Sequence, residues 1–430
     1  MATGKLIGLS LFTTLSCGPA FAGETLDPGD TAWMMISTGL VLFMLPGLAL
    51  FYGGMVRAKN ILGTLIHSFI ALGVMSVQWM VIGYSLSFGN GNAFIGDLSH
   101  LFLRGIGPES LNGSIPAYVW VAFQCTFACI TPALIAGAFA ERVRFGSYVV
   151  FILLWGTLVY DPVCHWVWAE NGWLFKDGAI DFAGGTVVHI ISGIAGLVAC
   201  LMLGKRQGYP QTPLLPHNLV YTVLGAGILW FGWFGFNAGS ALAANTSAGL
   251  AFINTLMSPA AGMLGWLAAE KIHLGKPSAL GAASGIVAGL VAITPAAGSV
   301  RPGSALILGS VTAVLCYIFV AAKTRFGYDD SLDAFGIHGI GGTAGALGCG
   351  IFASVGYNSI LFSNAAPEAV SGLVQFWVQV KGIIATAGYS ALVTLIIVFV
   401  LEKTIGFRIS EEDEIEGLDI TLHGENAYNV

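Results

Sequence analysis

Charged side chains are scarce in this sequence: Asp, Glu, Lys and Arg together make up 9% of its 430 residues. A soluble domain ordinarily contains about 25% of these residues, which keep its surface in water. Hydrophobic residues reach 56% and the mean hydropathy is +0.80. The low charge therefore excludes a water-soluble protein and predicts one embedded in a lipid bilayer. The formal net charge is −6, and no nucleic-acid partner is expected.

Cysteines and clustered metal ligands are also scarce. Cys125 and Cys129 lie one helical turn apart, where a bond between them could not join two elements, so no disulfide framework is indicated. A metal site built on the two intramembrane histidines described below would need carboxylates or cysteines at the same depth. The sequence places none there, and it predicts no metal, no cofactor and no enzyme activity.

Long apolar runs are abundant, and eleven of them could each cross a hydrocarbon layer of roughly 30 Å as a helix. The runs are continuous rather than alternating, which excludes a membrane β-barrel. The sequence thus predicts an all-α polytopic membrane protein with eleven transmembrane helices. The predicted segments are about 31–54, 61–88, 117–140, 145–168, 184–204, 217–240, 247–270, 278–297, 302–322, 333–354 and 370–402.

Residues 1–22 form a separate unit. Lys5, the apolar run 6–15 and the small-residue pattern ending at Ala22 predict a secretory signal peptide that is cleaved after Ala22. The alternative is an uncleaved first helix, but the run is shorter than the roughly 20 residues that a span needs.

The basic residues predict the orientation, because short loops rich in Lys and Arg remain in the cytoplasm. With the amino terminus outside, the inner loops hold twelve of the 17 basic residues and the outer loops three, Arg104, Lys176 and Arg301. The chain then ends in the cytoplasm, and we expect it in a bacterial inner membrane. Lys381 lies inside the last segment, where it either reaches toward the outer surface or pairs with a neighbour.

Two histidines open the same local pattern, HIISGIAG from His189 and HGIGGTAG from His338, 149 residues apart. The first half of the chain contains five spans, an odd number, so the helices that contain the two histidines run in opposite directions. This predicts a five-plus-five inverted repeat, a transporter architecture with its site near the bilayer midplane. The mature transport domain is then 23–402, with repeat one at about 31–204, repeat two at about 217–354, an extra helix at 370–402 and a cytoplasmic tail at 403–430.

A titratable side chain in a membrane span usually faces the bundle interior or an aqueous path. A single buried histidine is about as often a structural residue as a functional one. Two histidines in the same repeat position favour a transport path. His189 follows Asp181 by eight residues, and His338 follows Asp333 by five, which suggests a similar acidic residue at the start of each helix. Such a residue caps amide groups, so the role expected of Asp181 is structural.

Five long stretches of the sequence are distinctive: PGLALFYGGMVRAKN (46–60), DFAGGTVVHI (181–190), GWFGFNAGS (232–240), DAFGIHG (333–339) and EGLDITLHGENAY (416–428). They resemble the ammonium transporter family, the bacterial relatives of methylammonium permeases and Rhesus glycoproteins. The resemblance covers essentially the whole mature chain. It implies eleven spans with an inverted repeat and a homotrimer with one pore in each subunit.

The resemblance also implies roles for particular residues. An outer ammonium-recruitment site falls on Phe127, Trp168 and Ser240, and a gate falls on Phe127 and Phe236. Aromatic faces attract ammonium by about 0.5 to 2 kcal/mol each. Without the family, Trp168 would be assigned to an interfacial aromatic belt, and the two phenylalanines to core packing.

The paired histidines resemble the twin-histidine site that lines the family's narrow pore. A bare ammonium ion would cost many kcal/mol in an apolar lumen, whereas neutral ammonia costs far less. We therefore expect the cation to lose a proton near the gate and ammonia to pass His189 and His338. Potassium has no proton to lose and is excluded.

The tail at 403–430 is acidic, and by composition alone it reads as a solvated, partly disordered segment. The resemblance instead implies an ordered regulatory tail that serves PII-type signal-transduction proteins. An ammonium sensor and a wider gas channel of the same family are the alternative functions. We favour the transporter over the sensor because sensors of this family usually add a large signalling domain.

Overall fold

The computed structural model describes residues 25–353 and 372–428. Eleven of its helices are long and apolar enough to cross a membrane. We number them α1 to α11. They are Pro28–Met55, Ala58–Phe88, Ala117–Phe139, Phe145–Lys176, Gly185–Leu203, Leu219–Ala238, Thr246–Leu274, Ala279–Ala296, Pro302–Phe326, Phe335–Phe352 and Leu373–Thr404.

These bounds confirm the predicted class of fold. Apart from α4, which continues past Trp168 through a short turn and a helical turn at Trp173–Lys176, each helix begins and ends within a few residues of its predicted segment. The predicted signal peptide at 1–22 and the first residues of the predicted segment 370–402 lie outside the described residues. A two-stranded hairpin, β1 (Leu111–Asn112) and β2 (Ile115–Pro116), lies between α2 and α3.

Polar side chains and glycines define many of the helix ends. Asn218, Asn245 and Ser278 each accept a hydrogen bond from a first-turn amide, and so cap α6, α7 and α8. Gly275 and Gly327 adopt the left-handed conformation that ends α7 and α9. The hydrophobic runs therefore set the helix lengths, and these short punctuating residues set their boundaries.

The two histidine helices, α5 and α10, pack directly against each other. A Cβ atom added at Gly193 would lie 2.1 Å from the backbone nitrogen of Gly339, next to His338. One added at Gly342 would lie 2.9 Å from the carbonyl oxygen of Gly185 and 3.0 Å from the Cβ atom of His189. Gly193 and Gly342 occupy the same repeat position, so the close approach is nearly symmetric. Small residues allow this contact, which replaces the missing hydrophobic drive between helices in lipid.

Short π-helical turns interrupt several spans. One contains His189 (Gly185–Ile190), one contains His338 (Phe335–Gly339), and a third lies in α6 (Phe234–Ala238). Two more lie in α2 and α4. Turns of this kind often mark functional positions in helices.

The tail packs beneath one end of the bundle, which we call the tail side; the opposite end is the far side. The tail contains two short helices, α12 (Glu411–Glu416) and α13 (Leu418–His423). The Asp419 carboxylate accepts from the Gly63 amide at 2.9 Å, and the Leu418 amide donates to Asn60 at 2.9 Å. The tail is therefore ordered against α2.

A buried ion network joins the loops on the tail side. The Arg206 guanidinium contacts Glu141 at 2.9 Å and Asp329 at 2.8 Å, and Arg57 contacts Glu141 at 3.0 Å. Burial alone would raise the pKa of Glu141 and of Asp329, but the neighbouring arginines hold both below their ordinary values. Basic residues counted as loop charges in the sequence thus also tie spans together.

Lys381 pairs with a neighbour. Its ammonium group contacts the Asp177 carboxylate and lies 5.2 Å from the centre of the Trp173 ring. The structure therefore contains the pairing considered from the sequence, and the partner lies in the loop between α4 and α5.

We expect Gly193→Ala to destabilise the protein, because the added methyl group meets backbone atoms that no rotamer change can move. Overpacking of this kind costs about 1 to 3 kcal/mol. Gly227→Ala is the matched control, since nothing lies within 4 Å of its Cβ position. Thermal unfolding in detergent measures the difference, and equal midpoints for the two variants would contradict the packing described here.

Candidate functional site

A continuous series of aromatic rings runs through the centre of the bundle. Trp168 meets Phe127 edge-on, with ring centres 5.7 Å apart, and Phe127 stacks on Phe236 at 4.3 Å. Phe236 lies 6.1 Å from the His189 ring, which lies 5.2 Å from that of His338. At 4.3 Å the two phenylalanines are in van der Waals contact, so the route between them is closed in this structure.

Trp168 and Ser240 lie at the far side, where each is only partly buried. The Trp168 indole donates to the main-chain oxygen of Asp181 at 2.8 Å, which fixes the plane of the ring. The Ser240 hydroxyl donates to the main-chain oxygen of Phe236 at 2.8 Å. Its lone pairs are then left to accept a hydrogen bond from a ligand.

The two predicted histidines lie side by side, and both are almost completely buried. Their Nδ1 atoms are 3.2 Å apart and their ring planes differ by 16°. Because one nitrogen must donate and the other accept, the two rings hold complementary tautomers when both are neutral. The Nε2 atom of His189 is buried and contacts no protein donor or acceptor. It is therefore available to a ligand.

A narrow cavity lies beside the imidazoles. Apart from the two histidines, every side chain that lines it is apolar. The lining residues are Met44, Leu48, Phe51, Ile130, Leu134, Val188, His189, Leu229, Trp233, Phe236, Val287 and His338. Trp233 stacks on His189, with ring centres 5.5 Å apart. The sequence did not single out Trp233, because this residue belongs to the same apolar run as its neighbours.

Asp181 caps the start of α5. Its two carboxylate oxygens accept from four consecutive amides at 2.6 to 3.0 Å, those of Gly184, Gly185, Thr186 and Val187. Burial raises the pKa of Asp181 above its usual range, while the amide donors act in the opposite direction. The contacts agree with the structural role expected of this residue.

The equivalent residue in the second repeat is Asp330, so the assignment of that position to Asp333 was wrong. Asp330 accepts from three amides at 2.8 to 3.3 Å, those of Ala334, Phe335 and Gly336. Asp333 instead pairs with Lys323 at 2.5 Å. Asp330 stands 149 residues after Asp181, the spacing of the two histidines, which is the signal that could have identified it. Burial, assisted by the charge of Asp333, raises its pKa to about 6.

Within residues 25–353 and 372–428, no group of three or more His, Cys, Asp or Glu side chains could hold a metal ion.

The family model named Ammonium Transporter Family matches residues 32–428 of the sequence. The chain belongs to the ammonium transporter family. Curated family members share nearly half of its residues. An ammonium transporter of Aquifex aeolicus is 48% identical, over 98% of each chain, and one of Bacillus subtilis is 49% identical, over 93% of this chain and 98% of its own.

Solved structures of ammonium transporter relatives share the fold. Saccharomyces cerevisiae Mep2 superposes with a TM-score of 0.84 at 37% identity, covering 90% of this chain and 89% of its own. A structure described as a sensor Amt protein also gives 0.84, at 30% identity, covering 92% of this chain and 98% of its own.

We expect Asp181→Ala to lower both thermal stability and ammonium uptake, because four buried amides lose their acceptor. A lost cap commonly costs about 1 to 2 kcal/mol. Asp181→Asn keeps one acceptor oxygen and should lose less, and Asp330→Ala should resemble Asp181→Ala. Thermal unfolding together with proteoliposome uptake tests this. A native unfolding midpoint with selectively lost uptake would contradict the capping role.

Proposed function

We propose that this transporter takes up ammonium at the far side and conducts ammonia past the two histidines. Trp168, Phe127 and Ser240 form the recruitment site, in which two ring systems and a hydroxyl acceptor receive the cation. Phe127 and Phe236 form the gate beneath it. The far side faces the exterior of a bacterial inner membrane, and the tail faces the cytoplasm.

The character of the cavity supports the step from cation to neutral molecule. Ammonium carries four donors and a strongly held hydration shell, and the lining offers apolar side chains and two imidazoles. Neutral ammonia loses far less hydration free energy than ammonium when it leaves water. Deprotonation near the gate would thus admit ammonia and exclude potassium, which has no proton to lose.

The observation that carries the proposal is the state of His189. Its Nδ1 atom is engaged by His338, its buried Nε2 atom has no protein partner, and its side chain lines an otherwise apolar cavity. A buried polar atom left without a partner costs about 1 to 3 kcal/mol. A small molecule that both donates and accepts hydrogen bonds, as ammonia does, would remove this cost in passing.

A sensor is the second candidate, because a structure described as a sensor Amt protein has the same fold. The two functions differ in whether substrate crosses the membrane, so transport assays separate them. A channel that conducts a wider range of gases, such as carbon dioxide, is the third candidate.

We propose further that the protein is a homotrimer and that its ordered tail binds a PII-type protein, as the family resemblance implies.

His189→Ala and His338→Ala should each lower the initial rate of ammonium uptake into proteoliposomes by about ten-fold, the equivalent of one strong hydrogen bond to the passing molecule. His273→Ala is the control, since that exposed residue bonds Tyr317 away from the cavity. Native uptake rates in both pore variants would overturn the proposed route, and binding without uptake by the native chain would favour a sensor.

The fate of the proton can be measured in the same vesicles. If it follows ammonia through the imidazole pair, adding ammonium to a sealed bilayer produces an inward current that both histidine variants lose. Uptake at the native rate with no current would instead mean that the proton stays outside.

A further inference from the structure

We propose that Gln379 of α11 is a positioning residue for ammonium recruitment. Its side-chain amide holds the main chain of Ile180, and the next residue, Asp181, orients the indole of Trp168. The inference rests on the recruitment role proposed above for Trp168.

The Gln379 side-chain amide forms hydrogen bonds with both the main-chain amide and the main-chain carbonyl group of Ile180. The Ile180 amide donates to Oε1 at 2.8 Å, and Nε2 donates to the Ile180 carbonyl oxygen at 2.7 Å. This pair of bonds resembles the pairing of two β-strands, with a side chain in the place of one strand. Gln379 is 3% exposed, so water cannot substitute for either bond.

Further contacts fix which way the Gln379 amide points. Its Oε1 atom also accepts from Nε2 of Gln375 at 3.2 Å, and its Nε2 atom lies 3.4 Å from the carbonyl oxygen of Ala346 in α10. Gln375 donates in addition to the Gly178 carbonyl oxygen at 3.0 Å. A reversed Gln379 amide would set donor against donor at Ile180 and at Gln375. The arrangement therefore has one orientation.

The segment held in this way leads directly to the recruitment site. Asp181 follows Ile180 in the chain, and its carbonyl oxygen accepts the Trp168 indole at 2.8 Å. Trp168 in turn contacts Phe127 edge-on. A shift of the 180–181 peptide would thus tilt the ring that is proposed to receive the cation.

A purely structural role predicts a different result. If Gln379 merely satisfied buried peptide groups, its loss would lower the amount of folded protein, and hence the maximal uptake rate, without changing KM. A positioning role acts through Trp168. Removal of the Gln379 amide should therefore raise KM, and only when Trp168 is present. A double-mutant cycle separates the two.

The experiment measures methylammonium uptake by the full chain in proteoliposomes for Gln379→Leu, Trp168→Leu and the double variant. We expect Gln379→Leu alone to raise KM about five-fold, as for one lost hydrogen bond, with little change in the maximal rate per folded protein. In the Trp168→Leu background it should leave KM unchanged. Ile384→Ala, on the exposed face of the same helix, is the control and should behave as the native chain.

An equal rise of KM in both backgrounds, or a lower maximal rate with native KM, would overturn the positioning role and leave the recruitment proposal standing. Native KM in Trp168→Leu itself would overturn the recruitment proposal and this inference with it. If Gln379→Leu does not fold, Gln379→Glu takes its place, because it keeps the acceptor for the Ile180 amide and loses the donor. Its KM should rise only when Trp168 is present, and a native KM would overturn the inference.

Discussion

The centre of this protein depends on how closely the backbones of α5 and α10 approach each other. Gly193 and Gly342 allow that approach, each from one helix and each beside the histidine of the other. In lipid there is little hydrophobic drive between helices, so close packing of small residues must hold them together. The close packing of the two backbones therefore brings the imidazoles together, with their Nδ1 atoms 3.2 Å apart.

Several polar groups near the pore are matched to individual hydrogen-bond partners. Asp181 meets four amides, Asp330 meets three, and the amide of Gln379 is engaged at both ends. Such matching is what a medium without water demands, because an unmatched group keeps its full desolvation cost. The Nε2 atom of His189 is left unmatched, and the His189 side chain lines the cavity, where a passing molecule can supply the partner.

The sequence predicted the spans because hydropathy and length are local properties, and it predicted the facing histidines because the repeat preserves their spacing. It failed at Asp333, where nearness to His338 in the chain was mistaken for equivalence; the repeat spacing selects Asp330. No pattern in it indicated the π-helical turns. Gln379 was also missed, because it acts on a peptide 199 residues away, and no local pattern encodes such a contact.

The two carboxylate caps have an electrostatic consequence beyond the amides they satisfy. Each stands eight residues before its histidine, roughly 12 Å along a helix, and the two helices begin at opposite sides of the bundle. An uncapped helix start carries about half a positive charge, which would repel a cation. A carboxylate there offsets that charge when it is ionised. The carboxylate that caps the start of each helix thus also lowers the electrostatic barrier to a cation that approaches that end of the pore.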